Sequence, residues 1–216
     1  MLVTKTYSEN SEINLRLLAF DVTRNELVAV ARAVVAARAD TTDNDPATAE
    51  GQLAYIYGTR ATRALWRTKK WLLHRQENIE AVSHPKKALR VIYQSVDLAA
   101  SKTYRPRPIS GKGSGSDRVI SDAQGSLFTE EELAGDAKIK LGKIDSGVWY
   151  YCVSVSGDDV RAELSLPSGI SEGNFEDFIE RIFVIREGEW PALVGKYDAD
   201  DSSSAVSFEP VVTRKK

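Results

Sequence analysis

Cysteine is almost missing from this 216-residue chain, with Cys152 the only one. No intramolecular disulfide can form, which excludes the cross-linked scaffold of small secreted domains. Histidine occurs only at His74 and His84. They have no cysteine nearby and only Glu77 and Glu80 as carboxylate company, too poor a set for zinc, so neither a metal nor a cofactor is expected. Uninterrupted apolar stretches such as Ala33 to Ala37 fall far short of the roughly 20 residues of a membrane-spanning helix. The start, Met1-Leu2-Val3-Thr4-Lys5, lacks the charged-then-apolar order of a secretory leader, and a cytoplasmic location away from membranes is the expectation. Low hydrophobicity is absent too. A hydrophobic content of 42% beside 28% charged residues suits a chain that buries a core.

Acids are what the middle of the chain lacks. Between Ile56 and Arg118 stand fourteen Lys or Arg against Glu77, Glu80, Asp97 and Asp117. This surplus of ten cations sits inside a total net charge of −2, so the rest of the chain is strongly acidic. Such asymmetry points to an anionic partner, or to oppositely charged parts that pack on each other.

Local patterns divide the chain. Leu2 to Tyr7 and Ile13 to Phe20 are short and alternating, as strands are. Thr23-Arg24-Asn25-Glu26 spells a capping box, and Leu27, Val28, Ala31, Val34 and Val35 follow it at helical spacing. After the breaker around Asp45-Pro46, a second helix is expected from Ala47 to Arg75, with Tyr57, Ala61, Ala64, Leu65, Thr68 and Leu72 on its buried face and Gly58 as a weak point. His84-Pro85 opens an element for which the spacing of Ala88, Ile92, Val96 and Ala99 favours a helix over a strand. A Pro-, Gly- and Ser-rich stretch then separates a mainly helical basic part, residues 1–103, from an acidic part, residues 127–216; the stretch itself, 104–126, is a linker or long loop. In the second part Ile139 and Leu141, Val148 to Val155, and Val160 to Leu166 predict antiparallel strands. Asn174, Phe175, Phe178, Ile179, Ile182 and Phe183 predict a covering helix, and 205–212 an edge strand. The expected class is α+β, a helical N-terminal part followed by an antiparallel sheet with a packed helix.

The expected binding residues lie on the second helix. Arg60, Arg63, Arg67, Lys70 and His74, spaced by three and four, would form a stripe roughly 80° wide in which each cation neighbours another. A helix that tolerates such repulsion suits an anionic ligand. Trp66, off the expected buried face, could contact that ligand, while Trp71 suits packing. Lys86, Lys87, Arg105, Arg107, Lys112 and Arg118 would add charge.

The loop Gly111-Lys112-Gly113-Ser114-Gly115-Ser116 could cradle a phosphate with its backbone amides. It matches neither a Walker A loop nor a dinucleotide-binding fingerprint. No catalytic residues are identified. Asp158, Asp159 and Glu163 sit in a turn and on the expected solvent side of a strand, and Cys152 is expected to be a buried, inert thiol. The leading expectation is non-enzymatic binding of nucleic acid or another polyanion through the basic stripe. The alternatives are a protein-interaction or inhibitor module, self-association included, and third a nucleotide-handling enzyme with its phosphate at 111–118.

Overall fold

The computed structural model describes residues 3–76, 78–109 and 146–198. Strand β1 (Lys5–Tyr7) leads into helix α1 (Asn10–Leu17) and a 3-10 turn (Leu18–Phe20). Helices α2 (Arg24–Ala39) and α3 (Ala49–Thr68) follow. Strands β2 (Leu72–Gln76), β3 (Ile79–Ser83) and β4 (Ala88–Ser95) come next, then β5 (Ser146–Ser156) and β6 (Asp159–Pro167). A small hairpin of β7 (Ile170–Ser171) and β8 (Asn174–Phe175) precedes β9 (Phe178–Ile185) and helix α4 (Trp190–Asp198).

One seven-stranded sheet runs in the order β1-β9-β6-β5-β4-β3-β2. The pairs β1–β9 and β4–β5 are parallel and the others antiparallel. The α+β class therefore holds. Strands from 1–103 and 127–216 meet directly at the β4–β5 pair, and the start of the Pro-rich stretch returns to β4 through a Val96–Pro108 bridge. The remainder of that stretch lies outside the described residues, as do the strand expected at Ile139 and Leu141 and the edge strand expected at 205–212.

Alternation along each central strand fills two apolar layers. Leu89, Val91 and Tyr93, with Trp149, Tyr151 and Val153, meet the helices on one face. Ile92, Val148, Tyr150 and Cys152 join Val96, Ala99, Phe175 and Phe178 on the other. Cys152 is buried as expected. The capping box forms as read: the Thr23 hydroxyl accepts from the Glu26 amide, and the Glu26 carboxylate accepts from the Thr23 amide.

Helix α3 is continuous through Gly58 because that glycine is a contact point rather than a weak one. A Cβ there would lie 2.2 Å from the Tyr93 ring. Burial pushes the Tyr93 hydroxyl up to about 12, so this ring stays neutral beneath the helix.

The second face is sealed by ions. Glu163, on β6, lies fully buried and takes the Arg181 guanidinium at 2.9 and 2.6 Å. Glu163 also accepts from the Ala100 amide at 2.5 Å and the Ser165 hydroxyl at 2.7 Å. Arg181 donates onward to the Ser101 and Tyr104 carbonyls, pinning the segment after β4 across the sheet. The solvent-side position expected for Glu163 is thus corrected, since a buried carboxylate is tolerable only when paired this fully.

Four expected elements are corrected. Ile13 to Phe20 is helical, with Ile13, Leu17 and Phe20 buried and Arg16 turned inward to Glu180 at 2.5 and 2.6 Å. The second helix ends at Thr68, and Leu72 to Gln76 is a strand. Residues 88–95 form a strand, as does 178–185, which displaces the helix expected over Phe175 to Phe183.

Two stability outcomes follow. Gly58→Ala should lower the thermal midpoint: overpacking against Tyr93 costs roughly 1–3 kcal/mol, against about 1 kcal/mol gained in helix propensity. Arg181→Met should cost about 3–5 kcal/mol in urea unfolding, because it strands the Glu163 charge in the core.

Candidate anion-binding face

Helix α3 buries Ala54, Gly58, Thr59 and Thr62, small residues that let the backbone approach β4, and Trp66 at the end of the same face. Of the expected buried face, Ala61 and Leu65 pack against the border of the core and Tyr57 is half-buried, while Ala64, Thr68 and Leu72 are exposed. Trp66 belongs to the core and not to a ligand contact; it is fully buried, and its indole N–H donates to the Phe20 carbonyl at 3.1 Å. Trp71 is buried as expected, with its indole N–H on the Asp21 carboxylate at 3.1 Å.

The anchoring of Trp71 ends the helix. The Lys69 and Trp71 amides both return to the Trp66 carbonyl, and Lys70 takes the left-handed conformation with φ 65°. The chain therefore reverses into β2. The stripe is cut at this turn: Arg60, Arg63 and Arg67 stay on the helix, Lys70 sits in the turn, and His74 lies on β2 opposite Ala81.

Opposite the buried face, Arg60 and Arg67 are exposed and have no ion-pair partner among the described residues; Arg60 rests 4.6 Å from the Tyr57 ring centroid. Two turns separate them, about 10 Å at 1.5 Å per residue. Arg63 is bound instead to Glu80 of β3, whose carboxylate also holds Arg75 of β2. Sequence reasoning missed Glu80 and Arg75 as members of this face. The signal was Asn78, whose φ of 63° marks it as the turn of a hairpin that sets residues 75 and 80 opposite one another.

Beside the stripe, Lys69 pairs with Glu26 at 2.7 Å. Desolvation pushes the Glu26 carboxyl up, but hydrogen bonds from Lys69 and Thr23 outweigh it and hold the group below the ordinary carboxylate range.

The supporting cations divide between places. The Trp71 ring meets His84 edge-on with centroids 5.1 Å apart, which brings the β3–β4 turn, with exposed Lys86 and half-buried Lys87, to the C-terminal end of α3. Arg67 and Lys70 thus stand at the helix end that the β3–β4 turn, with Lys86, approaches. Arg105 and Arg107 lie elsewhere, on the segment over the second face: Arg105 pairs with Asp177 at 3.0 Å, and Arg107 stands 5.9 Å from the Tyr104 ring centroid. Lys112, Arg118 and the glycine-serine loop fall outside the described residues. The described residues contain no group of three or more His, Cys, Asp or Glu placed to hold a metal ion, and no helix among them is long and apolar enough to cross a membrane.

No protein-family model, curated protein or solved structure matches this chain.

Glu80 is the only acid paired with the stripe itself among the described residues. Glu80→Gln removes a negative charge and releases two guanidinium groups, so the variant should elute from immobilised heparin at higher salt with a lower thermal midpoint. Unchanged elution would mean that Arg63 and Arg75 add nothing to the face.

Proposed function

We propose that the protein binds the phosphate backbone of nucleic acid, or a polyanion of similar charge density, on the outer face of α3 and the adjoining β3–β4 turn. One observation carries this reading. Arg60, Arg67 and Lys70 stand exposed on one side of the fold without an acid paired to them among the described residues, although the chain as a whole carries more acids than cations. Several described acids of the C-terminal part are engaged elsewhere: Asp159 and Glu187 hold Arg161, and Glu189 holds Arg24 and Arg186. A basic face of this kind would otherwise be expected to draw those acids onto itself.

The contacts would be to phosphates rather than bases. Trp66, Trp71 and Tyr93 are buried and cannot stack on an unpaired base, and the half-buried Tyr57 ring is covered by Arg60, which weakens the ground for a single-strand preference. The roughly 10 Å axial separation of Arg60 and Arg67 would let the two meet different phosphates of one strand. Sequence would therefore matter little and salt a great deal.

The test is affinity for a short duplex as a function of salt. Contacts from Arg60, Arg67, Lys70 and Lys86 imply a slope of log K against log salt of roughly −3 to −4. Arg60→Ala with Arg67→Ala leaves the Arg63–Glu80–Arg75 cluster in place, and should flatten the slope by about 1.5 to 2 while the protein stays folded. A salt-independent affinity, or no loss in the double variant, would overturn the reading.

A further inference from the structure

Among the described residues strand β2 ends the sheet. Its five residues pair with β3 in an unbroken antiparallel register, and among the described residues no other main-chain hydrogen bond reaches its outer side. Edge strands are usually guarded by short length, charged side chains, proline or a bulge, and on β2 exposed Arg75 supplies a charge toward one end. Here Leu72 and Leu73 remain 57% and 50% exposed at the start of the edge. The arrangement is an open template for one more strand, with main-chain groups to give affinity and side chains to give selectivity.

Charge indicates what that strand is. Leu73 and Arg75 share the α3 side of the sheet, where Arg63 reaches across to Glu80 and Arg67 stands exposed one turn further along the helix. A second copy of the chain, paired antiparallel through β2, would bring this basic flank close to its own duplicate. We infer that the β2 edge takes an extended segment of a protein partner, one whose side chains are acidic toward α3 and apolar toward Leu72. This surface is independent of the phosphate reading, because it depends on the strand's unpaired backbone and not on charge alone.

The probe is the capped hexapeptide Val-Glu-Val-Asp-Val-Glu, compared with the same peptide N-methylated at alternate residues, which keeps every charge but cannot complete a ladder. The parent peptide should bind saturably below about 1 mM, and the methylated one at least tenfold more weakly, as the loss of two or more hydrogen bonds requires. Amides of Leu72 to Gln76 should gain protection from hydrogen exchange on adding the parent peptide. Leu72→Thr with Leu73→Thr, strand-compatible changes at exposed positions, should weaken binding and keep the thermal midpoint close to the parent value. Equal affinity for the two peptides would overturn the inference, as would a molecular mass showing a dimer that this Leu-to-Thr pair dissociates. Arg60→Ala with Arg67→Ala separates the two proposals: it should abolish most duplex binding yet leave the discrimination between the peptides intact.

Discussion

Everything in this fold depends on a sheet whose central strands are buried on both faces, and β9 shows what that requires. Glu180 and Arg181 are consecutive and so point to opposite sides, and neither side is water. Arg16 of α1 neutralises Glu180 beneath the helices, and Glu163 neutralises Arg181 beneath the segment that follows β4. Each pair is held by two hydrogen bonds, the geometry in which a buried ion pair can offset its own desolvation. The pairs also act as clasps: one ties the N-terminal helix to the sheet, and the other ties Ala100, Ser101 and Tyr104 across it.

The position of the basic face follows from a second constraint, the close approach of α3 to β4 at Gly58 and Tyr93. With Ala54, Gly58 and Thr62 turned to the sheet, Arg60 and Arg67 are left pointing away from it. Trp71 then fixes where the helix stops. Its indole on Asp21 and its ring against His84 turn the chain at Lys70 and lay β2 down as the edge strand among the described residues, so the cationic helix face and the sheet edge come to border one another. The exposed cations and the open edge thus share their origin in one helix end.

How far the sequence discloses this depends on which residues face the core. The α+β class, the capped helix at Thr23 and the strands around Tyr151 and Leu164 follow from ordinary apolar periodicity, and they stand. The pattern misleads where polar residues point inward. In β9, Phe178, Ile179, Ile182 and Phe183 repeat at helical spacing only because Glu180 and Arg181 occupy inward positions that periodicity assigns to solvent. Arg16 similarly obscures the helix from Asn10, and alternation assigns buried Glu163 to a wet strand face. In α3 the core face is built of small residues up to Trp66, so Tyr57 and Leu65, which flank it, outweigh Gly58 and Thr62 in a count of hydrophobicity. The cationic stripe was legible from spacing as far as Arg67; beyond it, the turn at Lys70 depends on the burial of Trp71, a tertiary contact that no local pattern contains.

If Arg60 and Arg67 meet phosphate directly, the nearest observation of that contact is the side-chain Nε–Hε resonance of each arginine during titration with a short duplex. Both should shift saturably and in step, while those of Arg24 and Arg181, held in ion pairs elsewhere, should stay in place. Shifts confined to other arginines, or none at all at low salt, would contradict it.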